Sequence, residues 1–218
     1  MDTSAQLRMM VYASLLAALT AAGAYLAIPI GPVPIVLQNL FILLAGLLLG
    51  SRWGLASVGV YLLAGAMGLP VFAGGLGGIG RLVGPTGGYL VGFLPAVFVI
   101  GWITEKAKER VYVDVIAMIC GTAIIYVFGV TWLQQLTGMT LSKTLMVGMY
   151  PFLIGDALKI AVAVPIAKAL RPVVRKQLTV NSKQSAVFTQ AAYWEIQIMV
   201  SQQLLFLSPK QFRYLIEA

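Results

Sequence analysis

At 218 residues, with 60% hydrophobic and 10% charged positions and a mean hydropathy of +0.91, the chain carries too little charge for a water-soluble surface; soluble domains have roughly a quarter of their residues charged. It has no histidine and one cysteine, Cys120, which excludes a His-based catalytic triad, a disulfide framework and thiolate metal clusters. The formal charge of +8 does not point to nucleic acid, because the basic residues are scattered between apolar runs, where membrane-flanking loops carry them.

Taken in chain order, the apolar runs predict helices near 8–28, 35–50, 53–69, 86–105, 113–136 and 145–170. No charge interrupts the 43 positions between Arg8 and Arg52, about twice the ~20 residues a bilayer-spanning helix needs, so two spans are expected there. The first run follows a lone Arg8 and lacks a small-residue cleavage pattern, so it is read as a retained span. Within it Ala13, Ala17, Ala21 and Ala24 recur at three- to four-residue spacing and form a small-residue stripe. Such a stripe lets another helix backbone come close, either inside the bundle or on a partner membrane protein.

Between the third and fourth runs, Leu69 to Tyr89 holds eight glycines in its last sixteen residues, which predicts a tightly folded loop over the outer mouth of the bundle. Gly75, Gly77 and Gly80 spell GxGxxG there, but no strand precedes them and the next acid, Glu105, closes the following span, so the dinucleotide reading fails. The sixth run contains PFLIGDALKI, in which Asp156 and Lys159 share a helix face and can pair. Ionisable groups inside a span cost about 2.5 to 3.5 kcal/mol each on insertion scales, so they mark a binding site or a self-neutralising structural pair. Gln38, at the start of the second run, adds an amide at similar depth, or caps its helix.

With an inside N-terminus, nine basic residues (Arg8, Arg52, Lys106, Lys108, Arg110, Lys168, Arg171, Arg175, Lys176) fall on the cytoplasmic side and two, Arg81 and Lys143, opposite. That asymmetry predicts both termini of the membrane domain inside. The domain is expected to cover 1–177, with 178–218 a polar, Gln-rich appended tail of no assigned role.

These segments together, GPVPIVLQNL at 31–40, LLLGSRWG at 47–54, AGAMGLPVFAGG at 64–75, GPTGGYLVGF at 84–93 and PFLIGDALKI at 151–160, resemble the BioY family over roughly residues 8–176. That family comprises the biotin-specific substrate-binding S components of energy-coupling-factor (ECF) vitamin transporters. The resemblance implies an all-α integral membrane fold, a six-transmembrane-helix bundle with the Gly-rich loop extracellular. It implies high-affinity capture and transport of biotin across a bacterial cytoplasmic membrane, with no enzymatic activity and no cofactor.

By the same resemblance Asp156 and Lys159 contact the polar groups of biotin, with Asp156 on the ureido N–H groups, and Gln38 adds to the site. The loop closes over the vitamin through Gly75, Gly84, Pro85, Thr86 and Gly87, while Phe72, Tyr89 and Trp53 offer apolar walls. Ala13, Ala17 and Ala21 would dock on a transmembrane coupling protein driven by two ATPase subunits. The chain has no Walker A pattern, so ATP hydrolysis is left to those partners. Three other readings stand beside this one: an S component for a thiamin- or pantothenate-like compound, a proton-coupled carrier using Asp156, and an intramembrane enzyme using Asp156 as acid or base.

Overall fold

A computed structural model describes residues 3–28, 32–107 and 110–174. The chain divides into two units, Gln6–Val174 and Met1–Ala5 with Arg175–Ala218, and the expected tail 178–218 lies outside the described residues. The helices are α1 (Thr3–Tyr25), α2 (Gln38–Ala66), α3 (Ile79–Val83), α4 (Gly87–Lys106), α5 (Val111–Thr137) and α6 (Leu141–Gly148), followed by a helical stretch over 150–174. A two-residue antiparallel pair, β1 (Ala27–Ile28) and β2 (Ile35–Val36), closes the α1–α2 connection. Among the described residues, four helical segments are long and apolar enough to cross a membrane: Ala5–Tyr25, Gln38–Ala66, Gly87–Lys106 and Val111–Thr137.

The second and third expected runs join in α2, but the helical path breaks at Gly50, where φ is +78° and ψ −171°. Beyond the break the chain turns back. The Tyr61 hydroxyl donates to Gln38 Oε1 at 3.2 Å, whereas 23 residues of straight helix would hold those positions about 35 Å apart. α2 is therefore a hairpin of two antiparallel arms. Gly50 is required at the corner, because a Cβ there would lie 2.1 Å from Glu105 Oε1, on a backbone that L side chains rarely adopt. Glu105, at the end of α4, fastens the corner by accepting from the Ser51 amide at 2.7 Å and from the Ser51 hydroxyl at 2.9 Å. A carboxylate at the first amide of the returning arm both caps it and meets its positive dipole end.

α4 lies between α2 and α5, and its Ala96, Val97 and Ile100 are fully buried. Outward-facing apolar side chains, among them Leu7, Val11, Val60, Val127 and Leu158, clothe the bundle as a membrane protein requires. At the same end as the Gly50 corner, Arg171 donates to both oxygens of Asp114 at 3.0 and 3.1 Å and to Leu47 O at 3.4 Å. Arg171, read from sequence as a flanking loop charge, is instead a buried fork that ties the last helix to α5 and α2.

Three expectations need correction. The sixth run is divided at Met149, whose φ of −135° and ψ of −57° separate α6 from the stretch 150–174. The Gly-rich segment is not loop throughout, since α3 occupies its middle and Gly87 already begins α4. Ala13 and Ala17 do not form an outward docking face: both are buried, and Ala13 O accepts from the Ser57 hydroxyl at 2.7 Å across to the returning arm of α2. Their small size serves packing within the bundle, and Ala21 beside them is half-buried.

Candidate functional site: a cavity with buried polar groups at one end of the bundle

The cavity lies at the end opposite the Gly50 corner, where α1 ends and α2 begins. Its floor is the first turn of α2 with Gln38 and Asn39, and its walls are Tyr89, Leu90 and Phe93 of α4 and Ile125 and Tyr126 of α5. Phe152 and Lys159 enter from the stretch 150–174, and Val33, Pro34, Val36, Phe72, Ala73, Arg81 and Thr86 close it from the connections. It encloses about 70 Å³, space for a few waters.

Each wall is held by its own contacts. Phe72 packs edge-on against Tyr61 with centroids 5.6 Å apart, and its amide donates to Leu76 O at 2.8 Å, closing a one-pair bridge that sets the covering segment. The Tyr25 hydroxyl donates to Pro70 O at 2.5 Å, tethering the same segment to the end of α1. Tyr89 turns its hydroxyl away from the cavity to donate to Gly148 O at 2.8 Å, which leaves its ring as the wall. Trp132 Nε1 donates to Gly84 O at 3.0 Å and holds the last turn before α4 against α5.

The polar groups have a definite polarity. Lys159 Nζ pairs with Asp156 Oδ1 at 2.9 Å, and the Tyr126 hydroxyl donates to Asp156 Oδ2 in a short hydrogen bond. Both acidic and basic members of this set are buried, so each charge is compensated without water. Gln38 Oε1 accepts from the Tyr61 hydroxyl, which leaves the Gln38 amide nitrogen as a donor. Asn39 Oδ1 is buried with no partner among the described residues. Arg81 lines the cavity from α3 and is engaged by no side chain among the described residues.

The structure therefore brings together Gln38, Phe72, Thr86, Tyr89 and Lys159 of the residues expected from sequence. Asp156 stands behind them, facing an apolar cleft between α5 and the stretch 150–174. Gly75, Gly84, Pro85 and Gly87 do not line the cavity; they shape the covering segment, and a Cβ on Gly87 would lie 1.8 Å from Leu82 O. Trp53 sits three residues past the Gly50 corner, at the other end of the bundle, and is no wall of this site.

Sequence reasoning passed over Asn39, Arg81 and Tyr126. Asn39 follows Gln38 directly, and Arg81 is the lone cation of the Gly-rich segment, so both had a signal. Tyr126 had none, as a tyrosine within a long apolar helix is ordinary.

Comparison with known proteins points one way. A model of the BioY family matches residues 1–176. A protein of Thermotoga maritima named biotin transporter BioY is 43% identical over 165 residues, covering 76% of this chain and 96% of the relative. A probable biotin transporter BioY of Pyrococcus horikoshii is 40% identical over 158 residues, covering 72% and 93% respectively. A crystal structure of the S component for biotin from an ECF-type ABC transporter superposes with a TM-score of 0.74 at 34% identity, covering 78% of this chain and 94% of that one.

Proposed function

The chain belongs to the BioY family, and from that premise we propose that it captures biotin in the cavity described above and carries it across the cytoplasmic membrane as the S component of an ECF-type transporter. The observation that carries this reading is the set of polar groups at the cavity: Asn39, whose buried acceptor has no partner among the described residues, and the cationic donors Lys159 and Arg81, set among apolar walls. Biotin has the complementary layout, with two ureido N–H donors and a ureido oxygen on an apolar bicycle and a carboxylate at the end of an alkyl chain.

In this reading Lys159, which keeps N–H donors beyond the one given to Asp156, meets the ureido oxygen. Arg81 meets the carboxylate, for which a guanidinium fork is suited. Asn39 accepts one ureido N–H.

The bundle crosses the membrane six times in this proposal, through α1, the two arms of α2, α4, α5 and the stretch 150–174, with the N-terminus and the end of the last crossing cytoplasmic. The cavity and the Gly-rich segment then face outward. Energy comes from a transmembrane coupling protein and two ATPase subunits, since the chain carries no phosphate-binding loop of its own.

Equilibrium binding of biotin to the detergent-purified chain, with dethiobiotin, thiamin and pantothenate as competitors, tests the proposal. Tight binding that thiamin and pantothenate leave untouched is the expected result. A folded sample that ignores biotin would overturn it.

A further inference from the structure

At the Gly50 end of the bundle α4 stops at Lys106 and α5 starts at Val111, so four residues carry the chain from one span to the next. Each side of that connection sets a cation against an aromatic ring. Lys106 Nζ lies 4.1 Å from the centroid of the Trp102 ring, one turn earlier on α4. Arg110 Nη1 donates to the Tyr112 hydroxyl at 2.9 Å. The Cα atoms of the two cations, four residues apart, are separated by at most about 14 Å, close enough for two long side chains to converge on one group.

Both rings are about half exposed, 47% for Trp102 and 56% for Tyr112, and Phe98, Val111 and Ile116 beside them are exposed as well. On a bundle that spans a bilayer such apolar surface is met by lipid, and Trp and Tyr settle at the level of the headgroups. The stems of Lys106 and Arg110 therefore lie along apolar surface while their charged heads sit at headgroup depth.

The charge at this level is unanswered. Lys106 and Arg110 are exposed, and neither pairs with an acid among the described residues. The nearby acids are turned to other groups, Glu105 accepting from Ser51 and Asp114 from Arg171. In the connection itself Lys108 and Glu109 add no net charge. An ammonium resting on a ring keeps N–H donors on its far side, and a guanidinium keeps several beyond the one given to a phenol. The group that completes them is an anion with more than one acceptor oxygen, held at the depth of the rings. A phosphodiester has that form, and guanidinium groups match it well.

We propose that Lys106 and Arg110 form a binding site for the phosphodiester headgroup of an anionic phospholipid, with Trp102 and Tyr112 holding the two cations at its depth. In the orientation proposed above this lipid belongs to the cytoplasmic leaflet, and its headgroup joins the end of α4 to the start of α5. The site requires only that α4 and α5 cross the membrane, and it does not depend on what the cavity at the other end binds.

Trp102 reports on the site directly. Full-length protein is reconstituted in phosphatidylcholine bilayers in which part of the lipid is phosphatidylglycerol or phosphatidylcholine carrying brominated acyl chains, which quench tryptophan fluorescence. The chain has four tryptophans, so the signal of Trp102→Phe under the same conditions is subtracted to leave the quenching at Trp102. The wild type should prefer the anionic lipid there by about fivefold or more for each cation, ~1 kcal/mol apiece. Lys106→Gln combined with Arg110→Gln should bring the preference close to one. Lys143→Gln, at the opposite end of the bundle, should leave it unchanged. Inorganic phosphate should relieve the quenching no more than chloride of equal ionic strength.

No preference in the wild type would overturn the proposal without recourse to any variant. A preference that survives the double variant, or that falls equally with Lys143→Gln, would overturn it too, because the attraction would then belong to the net charge of the chain and not to this pair. Relief by phosphate beyond that of chloride would give the cations to a soluble anion in place of a lipid. Failure of the protein to bind biotin would leave each of these results as it stands.

Discussion

Arg81 reaches the cavity from a five-residue helix and is engaged by no side chain among the described residues. Truncating it leaves no buried partner behind, so Arg81→Ala should leave the thermal midpoint of the unliganded protein within a degree or two. If it holds the biotin carboxylate, affinity for biotin should fall about ten- to a hundredfold, the range of a lost charge-assisted pair, while affinity for biotinamide changes little. Competition binding with the two ligands checks this. Asn39 makes the opposite trade. Its orphaned acceptor costs about 1 to 3 kcal/mol when buried without a partner, so Asn39→Leu should raise the unliganded midpoint and weaken biotin. At this scale the sequence was only partly legible. Asp156 and Lys159 announced themselves, because a charge in an apolar span has few explanations. What Asp156 faces was hidden, since its partner Tyr126 lies 30 residues earlier on another helix. Gly84 and Gly87 were read as ligand contacts from their motif, but glycine marks close approach without saying to what, and here Gly87 meets the backbone of Leu82.

Among the elements, the α2 hairpin depends on one residue and its clamp. Gly50→Ala imposes both a positive φ and a collision with Glu105, and should destabilise the protein by more than the ~1 kcal/mol that Gly to Ala costs at a left-handed position alone. Glu105→Gln keeps the shape and one acceptor, and should cost less, about 1 kcal/mol. Thermal unfolding in detergent separates the two. The Asp114–Arg171 fork allows a second comparison. Asp114→Ala strands a buried guanidinium and should cost about 3 to 5 kcal/mol, whereas Asp114→Leu with Arg171→Met should recover most of that loss. If the double variant proved as unstable as the single one, the fork would have to contribute net stability beyond mutual neutralisation. The break at Gly50 could be read from sequence, because Gly, Ser and Arg interrupt the apolar run there. Its fastening could not, as Glu105 lies 54 residues away and looked like an ordinary end-of-span charge.

For the whole molecule, the proposed orientation puts the Gly50 corner in the cytoplasm and the cavity outside. The Gly50 corner carries exposed Arg52, and the far end carries exposed Ile79 on α3. In a Cys120→Ser background, a cysteine at Ile79 should react with a membrane-impermeant thiol reagent on intact cells. One at Arg52 should react only after the membrane is permeabilised. The reverse pattern would turn the cavity toward the cytoplasm and end the capture proposal. The hairpin bears on the surrounding lipid as well. The arm from Gln38 to Gly50 has 13 residues and rises about 20 Å, against a hydrocarbon layer of about 30 Å. That arm is buried along almost its whole length, so its shortfall is covered by neighbouring helices and not by compressed acyl chains. The depth of bilayer the bundle matches is then set by the longer helices α4 and α5 around it, and the hairpin can be short because it sits inside them.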